Sequence, residues 1–232
     1  VRVEDAWRRI KSFLSPFEHT NLFIEHLTYR NCMVYDIIAT SGSTPYLIGY
    51  IVTALASGLL YFLLSKKWDN VPKKFPIIHF FIVTWSGLMY LNFLNATPLS
   101  DFGWYMDWMV STPLILLALG LTAMHNSKTR WDLLGLLMGL QFMLVVTGII
   151  SQESGMTFAY WIGNALLLGV IYLLWGPFKQ MAYETSDTLG KSYTTLASYI
   201  SVFFVLYPVV WYIGIPGPLN VLNGFQTSVA FV

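Results

Sequence analysis

Long apolar runs recur along this 232-residue chain, at about 46–64, 75–94, 103–124, 133–151, 156–175 and 194–213. At about 1.5 Å of helical rise per residue, each can cross the roughly 30 Å hydrocarbon layer of a bilayer. Inside hydrocarbon the backbone must satisfy its own polar groups, which leaves only helices or a closed barrel. Leucine-rich stretches such as LLLGVIYLLW are continuous rather than alternating, and this argues against a barrel. A seventh run opens near residue 219 as LNVLNGFQTSVAFV. Roughly 14 residues are too few to span, so this helix is expected to continue past Val232 and to be truncated here. The expected fold is an all-α membrane protein, a seven-transmembrane helix bundle occupying residues 45–232. Composition agrees: 56% of residues are hydrophobic and 11% charged, against roughly a quarter charged in a soluble domain. A net charge of +1 does not suggest a nucleic-acid partner, and Cys32 alone gives neither a disulfide framework nor a metal cluster.

The connections predict an orientation. Lys66, Lys67, Lys73 and Lys74 lie between the first two spans, His125, Lys128 and Arg130 follow the third, and Lys179 and Lys191 separate the fifth and sixth. The alternate connections, TPLSD, QESG and the stretch around IPGPLN, carry no Lys or Arg. Positive residues collect on the cytoplasmic side, so the N-terminus is expected outside a multi-pass protein of the cell membrane. Residues 1–44 then form an extracellular segment. Within it, Val3, Trp7, Ile10 and Leu14 fit one side of a short amphipathic helix. Such a helix suits either the extracellular rim or a subunit contact.

The string WYMDWMVSTPLILLALG, residues 104–120, sets one carboxylate, Asp107, in an apolar span. A buried carboxylate in hydrocarbon faces the bundle interior and needs a partner. Ser111 and Ala118 share roughly its helical face, Trp104 precedes it by three residues, Trp108 adjoins it, and Pro113 loosens the same helix. Asp107 can be a hydrogen-bonded packing residue, a counterion to a buried cation, or a proton-transfer site. No lysine or arginine lies in the middle of a span to serve as that cation.

With seven spans and an outside N-terminus, the pattern Asp107-Trp108-Met109-Val110-Ser111-Thr112-Pro113 resembles the counterion helix of the microbial rhodopsins. Tyr207-Pro208-Val209-Val210-Trp211 is similar to the aromatic retinal-pocket segment of that family, with Phe204 where a tryptophan often lies. The resemblance covers about residue 45 to the end. It implies all-trans retinal on a helix-seven lysine, expected beyond Val232, whose protonated Schiff base would be the missing partner of Asp107. It also implies a retinal pocket of Trp108, Thr112, Trp161, Gly148, Phe204, Tyr207, Pro208 and Trp211, with Tyr160 and Thr147 beside it.

Departures from the family pattern imply a subtype. Outward proton pumps usually carry arginine at Trp104 and a carboxylate at Ala118. The set Asp107, Ser111, Ala118 and Trp104 looks like the xenorhodopsin branch of inward proton pumps. In that branch, Asp107, Ser111 and Trp104 would serve counterion and proton-transfer roles. His79 would serve cytoplasmic proton release, with a helix-seven carboxylate beyond Val232 as its usual partner. The competing reading of His79 is an inert boundary residue. The implied function is light-driven inward proton pumping, from outside to cytoplasm, with protons and the bilayer as partners. The alternative is a xenorhodopsin-type photosensor without net transport. Prokaryotic relatives often form cyclic oligomers, which implies a homo-oligomer, a trimer or pentamer. No phosphate loop, metal cluster, Ser-His-Asp arrangement or nucleic-acid surface stands out, so the chain reads as a transporter and not as an enzyme.

Overall fold

The computed structural model describes residues 44–66, 72–94, 104–214, 217–219, 221–223, 226–227 and 230. The expected N-terminal amphipathic helix, the TPLSD connection and half of the seventh segment lie outside the described residues. Six runs are helical and long and apolar enough to cross a membrane. They comprise α1 (Thr44–Ser65), α2 (Lys74–Leu94), α3 (Trp104–Ala123), α4 (Trp131–Ser154), then α5 (Thr157–Leu173) continuing through a π turn, Leu174–Phe178, into α6 (Lys179–Thr185), and finally α7 (Asp187–Ile213). No strand occurs among the described residues.

Each end has a local cause. After α3 the chain reverses through a turn in which Asn126 takes φ 64°, a left-handed conformation that asparagine tolerates. Arg130 precedes α4, its guanidinium paired with Asp132 at 2.6 Å on the exposed surface. Gly155 ends α4 in the left-handed conformation, at φ 68°. Ser186 starts α7, its hydroxyl oxygen accepting from the Leu189 amide at 3.1 Å.

The sequence reading ended the fifth span at 175 and began the sixth at 194. The structure instead carries helix to Thr185 and resumes it at Asp187, with Ser186 alone between. Apolar periodicity reports the thickness of hydrocarbon, whereas helices continue beyond it into polar residues. Lys179 and Lys191 therefore lie on helices rather than in a loop.

Burial identifies the centre of the bundle. In α3, 56% of the spanning window is buried, against 11–33% in the other five. Small residues let its neighbours close in: a Cβ added to Gly120 would stand 2.5 Å from Leu134 Cδ2 and 3.1 Å from Phe178 Cε1. Two apolar clusters result. One gathers Leu116, Leu134, Leu137, Val170, Phe178 and Tyr193 towards the end of the bundle that carries the basic connections. The other gathers Leu47, Ile51, Tyr90, Trp104, Tyr105 and Val145 towards the opposite end. The outer faces are apolar as well: Phe158, Leu168 and Tyr172 are each at least 70% exposed. That surface suits lipid, which imposes no penalty on exposed hydrocarbon.

Candidate functional site

Asp107 sits in the first turn of α3 and is 4% exposed. Ser86 on α2 donates to its Oδ2 at 2.9 Å. Its Oδ1 has no hydrogen-bond partner among the described residues. Behind Ser86, the Tyr50 hydroxyl on α1 lies 2.5 Å from Ser86 Oγ. One residue before Asp107, the Trp85 indole donates to the Met106 carbonyl at 3.1 Å and holds α2 against α3. Ser111 is equally buried, but its hydroxyl donates to the Asp107 main-chain carbonyl at 2.9 Å. A hydroxyl has one proton to give, so the geometry in the structure places the carboxylate's donor on α2 and not on Ser111.

Asp107 and Ser111 line a cavity of about 310 Å³ with Tyr50, Ser86 and Tyr90. A second, narrower cavity of about 80 Å³ lies between α3, α4, α5 and α7. Trp108, Thr112, Phe204 and Tyr207 border both. The smaller cavity is aromatic: the Tyr160 and Trp211 rings stack at 5.2 Å, and Trp108 meets Tyr207 at 5.0 Å. The Tyr160 hydroxyl donates to the Pro208 carbonyl at 3.2 Å. Gly148 leaves space for Tyr105, whose Cε1 would be 3.0 Å from an added Cβ. On the α4 side, Gln141 donates to Thr112 Oγ1 at 2.9 Å. Thr112 in turn donates to the Trp108 carbonyl at 2.6 Å.

Of the expected pocket residues, Trp108, Thr112, Gly148, Phe204, Tyr207, Pro208 and Trp211 all border the smaller cavity. Trp161 lines neither cavity. It is 57% exposed and packs edge-on to Tyr160 at 5.3 Å. Successive helical residues are turned by about 100°, so Tyr160 faces inward and its neighbour outward. Trp104 borders neither cavity. It is buried in the core one turn before Asp107. His79 lies seven residues before Ser86 on α2, about 10 Å along the axis, and lines neither cavity. Its Nδ1 donates to the Phe75 carbonyl at 2.8 Å and its ring lies 5.4 Å from that of Tyr61.

Sequence reasoning missed Ser86 and Tyr50, because it searched the spans for charge. The signal available was weak: two hydroxyls among many, in helices where most hydroxyls bond their own backbone.

The two cavities suit one elongated apolar group with a cationic end. Aromatic walls close on one part, and a buried carboxylate with an unsatisfied oxygen borders the other. No lysine or arginine among the described residues lines either cavity.

The profile of the family described as bacteriorhodopsin-like protein matches residues 41–232. The chain belongs to the bacteriorhodopsin-like family. Among curated relatives, it is 28% identical over 211 residues to a bacteriorhodopsin of Haloterrigena sp., covering 84% of this chain and 83% of that one. A bacteriorhodopsin of Halobacterium salinarum is 30% identical over 71% of this chain and 69% of its own. Among solved structures, this bacteriorhodopsin-like chain is similar to the inward H(+) pump xenorhodopsin at 58% identity and a TM-score of 0.81, covering 85% of this chain and 89% of that one. Cyanorhodopsin of Tolypothrix sp. is similar in fold alone, at 22% identity and a TM-score of 0.68, covering 80% of this chain and 87% of its own.

Proposed function

We propose that this chain is a light-driven inward proton pump that carries protons from the extracellular side to the cytoplasm. The observation that supports it most is the environment of Asp107, a buried carboxylate facing a cavity that no lysine or arginine lines among the described residues, in a chain 58% identical to an inward H(+) pump. All-trans retinal, joined to a helix-seven lysine beyond Val232, is the group the two cavities would hold. When bound, retinal supplies light absorption and a photoisomerisation that redirects a proton. The chain's own residues do the rest. Trp108, Thr112, Tyr207 and Phe204 border both cavities and would confine the polyene between them. Gly148, Pro208 and Trp211 shape the aromatic end.

Asp107 would hold the negative charge opposite the cation in the dark. Ser111 lies beside it, and Trp104 closes the core one turn toward the extracellular end. That tryptophan leaves no arginine to draw a proton outward. Ala118, 6% exposed, leaves no carboxylate donor on the cytoplasmic half of α3. His79 keeps Nδ1–H on the Phe75 carbonyl, which leaves Nε2 as the ring nitrogen open to a proton. It sits near the end of α2 that carries Lys73 and Lys74, the cytoplasmic end if positive residues lie inside. An extracellular N-terminus and a homo-oligomer, trimer or pentamer, belong to the same reading.

The test is light-induced change of external pH in intact cells expressing the full-length protein with retinal. Alkalinisation abolished by a protonophore is the expected result. Acidification would overturn the direction, and a retinal pigment without any pH change would mean a photosensor.

A further inference from the structure

We infer that Tyr50 is a positioning residue for the counterion, acting through Ser86, and that this two-hydroxyl relay determines which oxygen of Asp107 is left for a cation. The inference rests on the retinal reading above and extends it to residues on α1 and α2.

Three observations carry it. First, Ser86 departs from the habit of hydroxyls in this bundle. Thr53, Ser111, Thr112, Thr122 and Ser198 all donate to the carbonyl four residues earlier on their own helix. Ser86, 3% exposed, instead donates across the helix boundary to Asp107 Oδ2 at 2.9 Å. Second, that bond uses Ser86's one proton, so the proton in the 2.5 Å contact with Tyr50 must come from the tyrosine. The direction of the chain is therefore fixed: Tyr50 to Ser86 to carboxylate. Third, the relay reaches only Oδ2. Oδ1 is buried with no partner among the described residues, and Asp107 borders the larger cavity.

Each hydrogen bond in such a chain polarises the next. Tyr50 strengthens Ser86 as a donor, and Ser86 draws negative charge onto Oδ2. The same bonds stop the carboxylate from rotating, since Ser86 is fixed at both ends. A cation in the cavity then meets Oδ1 with its charge tempered by the relay. Without Tyr50, Ser86 donates more weakly and the carboxylate's field on the cation grows. Without Ser86, Tyr50 has no route to the carboxylate.

Absorption spectra of the full-length protein reconstituted with retinal test this. A stronger counterion field on the retinal cation widens its excitation gap, so Tyr50→Phe is expected to move the visible band to shorter wavelength. Ser86→Ala is expected to move it further the same way. Adding Tyr50→Phe to Ser86→Ala should then produce no additional shift, a coupling that a packing defect at Tyr50 would not show. If Ser86→Ala takes up no retinal, Ser86→Cys, a weak donor of similar shape, replaces it in the cycle. A parent band that Tyr50→Phe leaves in place, or equal shifts in both backgrounds, overturns the inference alone. A parent protein that forms no visible band with retinal overturns the retinal reading and this inference with it.

Discussion

Gln141 on α4 reaches Thr112 on α3 with its Nε2 at 2.9 Å, while its own Oε1 is buried without a hydrogen-bond partner among the described residues. The amide thus contributes one bond and leaves one acceptor unsatisfied, two effects of similar size, each about 1–3 kcal/mol at most. Thr112 retains its 2.6 Å bond to the Trp108 carbonyl whatever happens at Gln141. Gln141→Met, close in volume, is therefore expected to change stability by less than about 1 kcal/mol. Thermal loss of the visible band in the two proteins checks this. A large destabilisation would mean that Oε1 has a partner in the folded pigment.

Asp107→Asn removes the carboxylate that, among the described residues, borders the larger cavity. Light-driven alkalinisation is expected to fall to background. Without the negative charge near the cation, the visible band should move to longer wavelength. Transport that persisted in this variant would remove Asp107 from the proton path.

His79→Gln tests the release role separately from the chromophore. The residue is about 10 Å along α2 from Ser86 and lines neither cavity. Its replacement should leave the visible band in place while slowing transport several-fold. A variant that pumps at the parental rate would return His79 to an inert boundary residue.

Tyr193, wholly buried on α7, donates its hydroxyl to the Leu174 carbonyl at 2.9 Å. Tyr193→Phe keeps the ring and loses this bond, which should lower stability by about 1 kcal/mol. Thermal denaturation of the pigment reads the difference. A Tyr193→Phe protein as stable as the parent would show that water or another donor replaces the phenol.

Gly120 leaves little room for a larger residue. An added Cβ meets Leu134 Cδ2 at 2.5 Å and Phe178 Cε1 at 3.1 Å, so Gly120→Ala should destabilise by about 1–3 kcal/mol as those side chains shift. Expression yield of the retinal-bound form and its thermal midpoint report the outcome. An unchanged midpoint would show that Leu134 swings aside freely.

What the sequence disclosed follows from which forces leave a local mark. The apolar runs announce the six described spans, because hydrocarbon thickness fixes their length. Asp107 announces itself because charge is rare in such runs, and the spacing to Ser111 and Ala118 on one buried face follows from helical geometry. Ser86 and Tyr50 leave no such mark. Their importance comes from the approach of three helices, which no local pattern records. Trp161 shows the opposite limit: residue type suits a pocket, but the rotation of α5 gives the inward place to Tyr160. The helical extent of Lys179–Thr185 was lost because polarity there says nothing about backbone conformation.

The π turn at Leu174–Phe178 has a consequence for how this chain aligns with itself. A π turn closes its hydrogen bond over five residues instead of four, so it holds one residue more than the α turn it replaces. Every residue after it on the same rod is advanced by about 100° relative to an uninterrupted α-helix. Phe178 closes the π segment and Ala182 follows one turn later, and both are 0% exposed in the resulting phase. Deleting the single residue Gly176, around which an added Cβ meets nothing within 4 Å, would give the rod its regular pitch back and rotate Phe178, Lys179 and Ala182 together by one position. The phase of the bundle's fifth rod is thus written in its length: one inserted residue sets which side chains below it face their neighbours and which face lipid.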